Sequence, residues 1–194
     1  MTAMSKVACI LLAAWCAIAE LPSKKQREEI LECHTKQREE VEPAASDMQL
    51  MVYSKELEQL AEEFAATCKL PVTYPQRHPK YGRIGYVVVV EHTHKPNYTD
   101  VFCKYSGGYY DYDKGKCKGI CYQYKQIVRA KTAAVGCTIH HCNYQLEDPK
   151  QGYVLACLYS PSKQVIREKP YSKGPSCSQC PRGSKCFRKQ CYHD

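Results

Sequence analysis

The sequence predicts a disulfide-bonded α+β domain that leaves the cell. Two segments near the N-terminus repeat apolar residues at helical spacing, later runs have the length and composition of strands, and the 194-residue chain carries 14 cysteines. A chain of this length can bury one sizeable core, or a core with a small appendage.

Export is read from the N-terminus. MTAMSKVACILLAAWCAIA has one cation, Lys6, then an apolar run from Val7 to Ala19 that closes on small residues at Ala17-Ile18-Ala19. This is the pattern of a secretory signal peptide over residues 1–19, cut after Ala19. The run is shorter than the roughly 20 apolar residues that span a bilayer, and no later segment is apolar enough to span. Cys9 and Cys16 leave with the leader, so twelve cysteines remain, an even number that implies up to six bridges in an exported chain. Spacing alone leaves their connectivity open. The sequon Asn97-Tyr98-Thr99 fits the same extracellular location as an N-glycosylation acceptor.

The formal charge of +8 falls to +7 without Lys6, and most of it lies at the C-terminal end. Over residues 161–194, Lys163, Arg167, Lys169, Lys173, Arg182, Lys185, Arg188 and Lys189 stand against only Glu168 and Asp194. Export argues against nucleic acid as a partner and favours an acidic glycan or an anionic lipid surface. The plainer alternative is a solvated basic face.

Element by element, Ser23 and Gln26 form a capping-box signature that opens a helix over about 24–40, with Ile30, Leu31 and His34 on one stripe. A second helix follows Ser54, because Leu57, Leu60, Ala61, Phe64, Ala65 and Cys68 recur at the spacing of one helical face. Residues 69–83 are proline-rich and read as a loop, and IGYVVVVEH (84–92) as a buried strand. PNYTDVFCKYSGG holds a short third helix with Val101, Phe102 and Tyr105 on one side, ended by Gly107-Gly108, and YYDYDKGKCKGIC follows as loop. Residues 121–131 read as a strand with Tyr124, Gln126, Val128 and Ala130 on one face and Gln123, Lys125, Ile127, Arg129 and Lys131 on the other. VGCTIHHC and GYVLACLYSP supply two more strands, and periodicity stops at Pro161.

Several stretches together resemble a known family. ILECHTKQREEVEPAASDMQLMVYSKELEQLAEEFAATC, QYKQIVRAKTAAVGC, YVLACLYSP and PYSKGPSCSQCPRGSKCFRKQC are similar to the CAP superfamily of cysteine-rich secretory proteins, insect venom antigen 5 and plant pathogenesis-related proteins. Within it the resemblance is greatest to the venom-allergen-like proteins of parasitic worms. It covers nearly the whole chain after the leader. It implies a three-layer α-β-α sandwich around a small antiparallel sheet over 20–160, with a basic, cysteine-rich hinge over 161–194. It also implies the pairs Cys68 with Cys142, Cys137 with Cys157, Cys117 with Cys121, Cys177 with Cys186 and Cys180 with Cys191. Cys33 and Cys103, on the first and third helices, are left over as the remaining pair.

Many members of that family hold a divalent metal such as zinc on two histidines and two glutamates in a central cleft. Position by position, these fall here on Val72, Tyr86, Gly107 and Gln123, none of them a zinc ligand of the expected kind. His92 and His94 form an H-x-H pair without a third ligand. His140-His141 lie between Cys137 and Cys142, whose implied bridging removes the thiolates a zinc site needs. His34 packs on its helix stripe, and His78 lies in the loop. No serine sits in a G-x-S-x-G elbow. The expectation is a protein that is not an enzyme and carries no metal or cofactor, with a metal-dependent hydrolase as the remote alternative.

What the resemblance then implies is lipid binding, in a channel between the first and third helices for a fatty-acid tail and at an aromatic loop for a sterol. Ile30 and Leu31 would face Val101, Phe102 and Tyr105 across the channel, and Tyr98, Tyr109 and Tyr110 would add aromatic area with polar tips. The alternative reading of these side chains is ordinary core. The expected function is non-catalytic binding of fatty acid or sterol at a host interface. The runner-up is an interaction or immunomodulatory module that engages a host extracellular protein or an anionic surface through the basic C-terminal end.

Overall fold

In the computed structural model the described residues are 20–69, 84–104, 109–144, 150–162 and 168–193. The leader, nearly all of the proline-rich loop, Tyr105 and the Gly107-Gly108 pair lie outside them. The elements run α1 (Lys24–Glu39), β1 (Val52–Tyr53), α2 (Lys55–Ala65), β2 (Gly85–Glu91), α3 (Tyr98–Phe102), β3 (Tyr110–Asp111), β4 (Lys116–Cys117), α4 (Tyr122–Ile127), β5 (Ala134–Tyr144), β6 (Lys150–Ser160), β7 (Lys185–Phe187) and β8 (Gln190–Tyr192).

The helix starts follow their caps. At α1 the Ser23 hydroxyl accepts from the Gln26 amide while the Gln26 side chain accepts from the Ser23 amide, so two end donors are satisfied reciprocally. The Ser54 hydroxyl caps α2 through the Leu57 amide, and Glu56 and Glu58 sit in the first turn where the helix dipole favours negative charge.

The main sheet has the order β1-β5-β6-β2. β6 pairs antiparallel with both neighbours, and the two-residue β1 adds a parallel edge to a sheet expected to be antiparallel throughout. Alternation sorts its side chains onto two faces. Val87, Cys157 and Cys137 lie abreast, followed by Val89, Leu155 and Ile139. This face meets Ile30, Tyr98, Phe102, Tyr124 and Ile127 in the larger core. The intervening residues, among them Tyr86, Leu158, Val88 and Ala156, pack with Leu57, Ala61 and Ala65 of α2. One helix therefore covers one face and α1, α3 and α4 the other, which is the three-layer sandwich. Gly136 allows the close approach of α2: a Cβ there would stand 2.2 Å from the Glu58 amide nitrogen and 2.5 Å from the Leu57 carbonyl carbon.

Two segments differ from expectation. Residues 121–131, expected as a strand, fold into the six-residue helix α4 and a turn. The expected two-faced alternation is absent, because every residue from Tyr124 to Ala130 is buried. The segment lies between the sheet and the C-terminal chain, with Gln126 bonded to Ser162 and the Ala130 amide to the Pro170 carbonyl. Enclosure on all sides overrides the weak β preference of Ile127 and Val128. The stretch expected as loop after Gly108 contains the β3-β4 hairpin.

Among the described residues six bridges join Cys33–Cys103, Cys68–Cys142, Cys117–Cys121, Cys137–Cys157, Cys177–Cys186 and Cys180–Cys191. The C-terminal segment is docked on the rest. The Cys191 amide donates to Met48 and its carbonyl accepts from Leu50, the Gln190 side chain donates to the Thr35 carbonyl, and Arg188 pairs with Glu32 and Glu39 of α1 at 2.8 Å each. Tyr171 and Cys191 are both buried, and Tyr171 belongs to the larger core. Among the described residues no helix is long and apolar enough to cross a membrane.

Candidate functional site

The seam between α1 and α3 is built from one stripe of α1. Ile30, His34 and Arg38 recur four residues apart and are all buried, the first two under α3. Cys33 bridges to Cys103 at the end of α3, and the Gln37 amide donates to the Phe102 carbonyl, so the two helices are tied covalently and by hydrogen bond. Ile30, Tyr98 and Phe102 are 0%, 3% and 1% exposed, with Leu31 and Val101 half-buried at the margin of the same cluster. Of the expected channel side chains, Ile30, Leu31, Val101 and Phe102 thus come together in one cluster, and Tyr105 lies outside the described residues.

His34 closes this seam against the sheet. Its ring stacks at a tilt on Phe102 and Tyr159, with centroids 5.3 and 5.7 Å away. Nδ1 lies 2.7 Å from the Ile30 carbonyl, which can only accept, so Nδ1 carries the proton and Nε2 accepts from the Tyr159 hydroxyl at 3.0 Å. Burial pushes the imidazole pKa down to about 4, so it is neutral at physiological pH with both nitrogens engaged. It is a structural group, not a poised base.

Arg38, one turn on, donates to the carbonyls of Ile127, Arg129, Gln49, Ala130 and Thr132. Burial lowers its pKa to about 9, still above neutral pH, so the side chain stays cationic. It fixes the turn that leaves α4. The four-residue repeat from Ile30 through His34 was the signal that could have found it.

The aromatic segment forms the second candidate region. The base of the β3-β4 hairpin is held by the Lys118 amide donating to the Tyr109 carbonyl, and Cys117–Cys121 ties the end of β4 to the start of α4. Tyr110 is buried with the Lys125 ammonium 5.2 Å from its ring centroid, whereas Tyr109, Ile120 and Tyr122 stand out at 59%, 75% and 39% exposed. Ile120, absent from the sequence expectation, is the most exposed of them.

Of the four positions that the resemblance aligns with metal ligands, the two among the described residues offer no zinc ligand of the expected kind. Tyr86 packs with Leu57, Ala61 and Leu158 on the α2 side of the sheet, and Gln123, half-buried on α4, offers a neutral amide where zinc takes imidazole, thiolate or carboxylate. Val72 and Gly107 lie outside the described residues. His140 turns to Glu62, with Nδ1 2.9 Å from its carboxylate, and the neighbouring Cys68 and Cys142 are bridged to each other. Asn97 is exposed and caps α3 through its side-chain oxygen, which accepts from the amide and hydroxyl of Thr99.

Comparison with known proteins places these features. A model described as the cysteine-rich secretory protein family, CAP, matches residues 31–159. A human cysteine-rich secretory protein LCCL domain-containing 2 is 31% identical over 188 residues, covering 88% of this chain and 37% of that protein. Na-ASP-1 superposes with a TM-score of 0.65 at 21% identity over 92% of this chain and 50% of its own. Venom allergen-like protein 4 of Schistosoma mansoni does so with a TM-score of 0.58 at 23% identity, over 81% of this chain and all of its own. The chain spans about a third of the length of the human relative and half of Na-ASP-1.

Proposed function

The chain belongs to the CAP family of cysteine-rich secretory proteins, and from that premise we propose that it is an exported, non-catalytic protein that binds a fatty acid or a sterol, acting at a host interface. The observation that carries this reading is the exposure of Tyr109 and Ile120, which flank the β3-β4 hairpin, and of Tyr122, which opens α4. Large apolar side chains left in water favour an apolar ligand, at about 25 cal/mol for each Å² they bury against it. The tyrosines add polar tips suited to an amphipathic molecule such as a sterol. Leu31 and Val101 provide the corresponding margin for an acyl chain over the α1-α3 seam. The non-catalytic part rests on Tyr86 and Gln123 standing where the family's metal ligands would be, and on the neutral, fully engaged His34. Export and glycosylation at Asn97 are part of the same reading.

Substitution separates the two lipid regions. Tyr109→Ser with Ile120→Ser should weaken sterol binding and leave palmitate binding intact, and Leu31→Asn with Val101→Asn should do the reverse. If neither pair changes either affinity, both assignments fail.

A second reading, a protein-interaction module on the basic C-terminal end, is favoured by Phe187, 52% exposed on β7, in the same segment as the exposed Arg182 and Lys189. Deletion of residues 161–194 cannot test it, because that would strip Tyr171 and Cys191 from the core. Phe187→Ser with Arg182→Gln is the suitable variant, and loss of a host partner with lipid binding retained would support this reading.

A further inference from the structure

The turn after α4 and residues 168–172 enclose a cleft of about 370 Å³, whose walls include Asp47, Tyr112, Arg129, Lys131, Lys169 and Tyr171. Its charges are unevenly committed. Asp47 is used internally, its two carboxylate oxygens accepting from the amide and hydroxyl of Ser172 at 2.9 and 3.1 Å. The Lys169 ammonium lies over the Tyr112 ring, 4.5 Å from its centroid, and Lys131 is exposed.

Arg129 is the exceptional group. It is 7% exposed, yet its carboxylate partner is Glu168, whose side chain is 64% exposed and reaches Nη2 at 3.4 Å. Its Nε makes no hydrogen bond among the described residues. The same protein shows what a satisfied pair looks like: Arg27 holds Glu58 through two bonds of 2.8 Å, with Tyr53 completing the carboxylate. A guanidinium taken out of water needs such a partner to offset its lost hydration. At Arg129 the partner is long, single and mostly in solvent. Lys125, buried behind the cleft, adds positive potential rather than relief, and Arg38 holds the turn rigid by taking the Arg129 and Ala130 carbonyls.

We propose that this cleft is a binding site for an oxyanion group, a sulfate or phosphate, which takes Arg129 in place of Glu168 with Lys131 and Lys169 at its rim. Guanidinium matches such groups through paired, charge-assisted bonds, and the Arg129 Nε, which makes no hydrogen bond among the described residues, is a donor to the ligand once Glu168 is displaced. The volume exceeds that of a bare ion and suits a small polar body carrying the group, such as a monosaccharide ester. Glu168 is an internal competitor that a ligand displaces. The proposal is independent of the lipid reading, since none of the lipid-contact residues lines this cleft.

Calorimetric titration of the whole exported chain at low salt with inorganic sulfate, inorganic phosphate and N-acetylglucosamine 6-sulfate tests it. Saturable binding is expected, tightest for the sugar ester if the body contributes and equal to sulfate if only the ion is held. Glu168→Gln should tighten binding by about fivefold. The charge-matched control Glu28→Gln, ten residues or about 15 Å of helix before Arg38, should leave it unchanged. Arg129→Gln should weaken it by about tenfold or more, with thermal melting to establish that the variant is folded. If Arg129→Gln does not fold, the contrast between Glu168→Gln and Glu28→Gln decides. No saturable binding, equal effects of those two, or wild-type affinity in a folded Arg129→Gln would each overturn the proposal.

Discussion

The Tyr159 hydroxyl donates to Nε2 of His34 across 3.0 Å in the closed interior, joining the central strand of the sheet to the first helix. The bond requires a neutral imidazole, since a protonated ring could not accept it. The Ile30 carbonyl already takes the other nitrogen's proton, and Phe102 covers the ring.

A pH dependence follows. Burial holds the His34 pKa near 4, below its ordinary value of 6.5. Unfolding therefore takes up a proton between those values, so this contribution is fully present above pH 6.5 and is lost as the pH falls through about 4. The shift corresponds to about 3 kcal/mol. In urea unfolding, the stability difference between wild type and His34→Gln should shrink as pH falls across that window. A constant difference would contradict the neutral-imidazole assignment.

Gly136→Ala should destabilise the fold severely. The added methyl meets the Glu58 nitrogen and Leu57 carbonyl carbon, backbone atoms of α2 that cannot rotate away. Overpacking of this kind costs about 1–3 kcal/mol or more, read as a lower denaturant midpoint, and an unchanged midpoint would show that α2 can lift from β5 freely.

Arg38→Met keeps the bulk of the side chain and removes a donor from five carbonyls, of which those of Arg129 and Ala130 still accept from the Thr132 and Gln49 amides while those of Ile127, Gln49 and Thr132 lose the guanidinium. Leaving buried acceptors unpaired costs about 1–3 kcal/mol for each one that water cannot reach. The expected outcome is a loss of at least about 3 kcal/mol in chemical denaturation, with faster amide exchange across residues 127–132. A loss confined to surface-substitution size would mean that these carbonyls find other donors.

The history of residues 121–131 explains what was legible in the sequence. The helices at 24–39 and 55–65 and the long strands of the sheet announce themselves through caps and periodic apolar residues, because their faces are decided by water on one side and core on the other. α4 has no such boundary: Lys125, Gln126 and Arg129 are buried beside Ile127 and Val128, so polarity does not mark its orientation and an apparent alternation misleads. Arg38 escaped for the same reason, as a charge whose partners are backbone carbonyls distant in sequence. The basic C-terminal end read as a solvated tail because its anchors, Glu32 and Glu39, lie on the first helix. Among the candidate lipid contacts, residue type identified the α1-α3 cluster, whereas exposure at Ile120 depends on the hairpin geometry and not on hydrophobicity.

The most direct test of the central claim is equilibrium binding of radiolabelled palmitate and cholesterol to the purified chain of residues 20–194, with bound and free ligand separated by filtration. The account predicts saturable uptake of at least one of them, competed by the unlabelled lipid. Linear, non-saturable uptake of both, in a preparation whose mass spectrum also lacks any co-purified lipid, would contradict it.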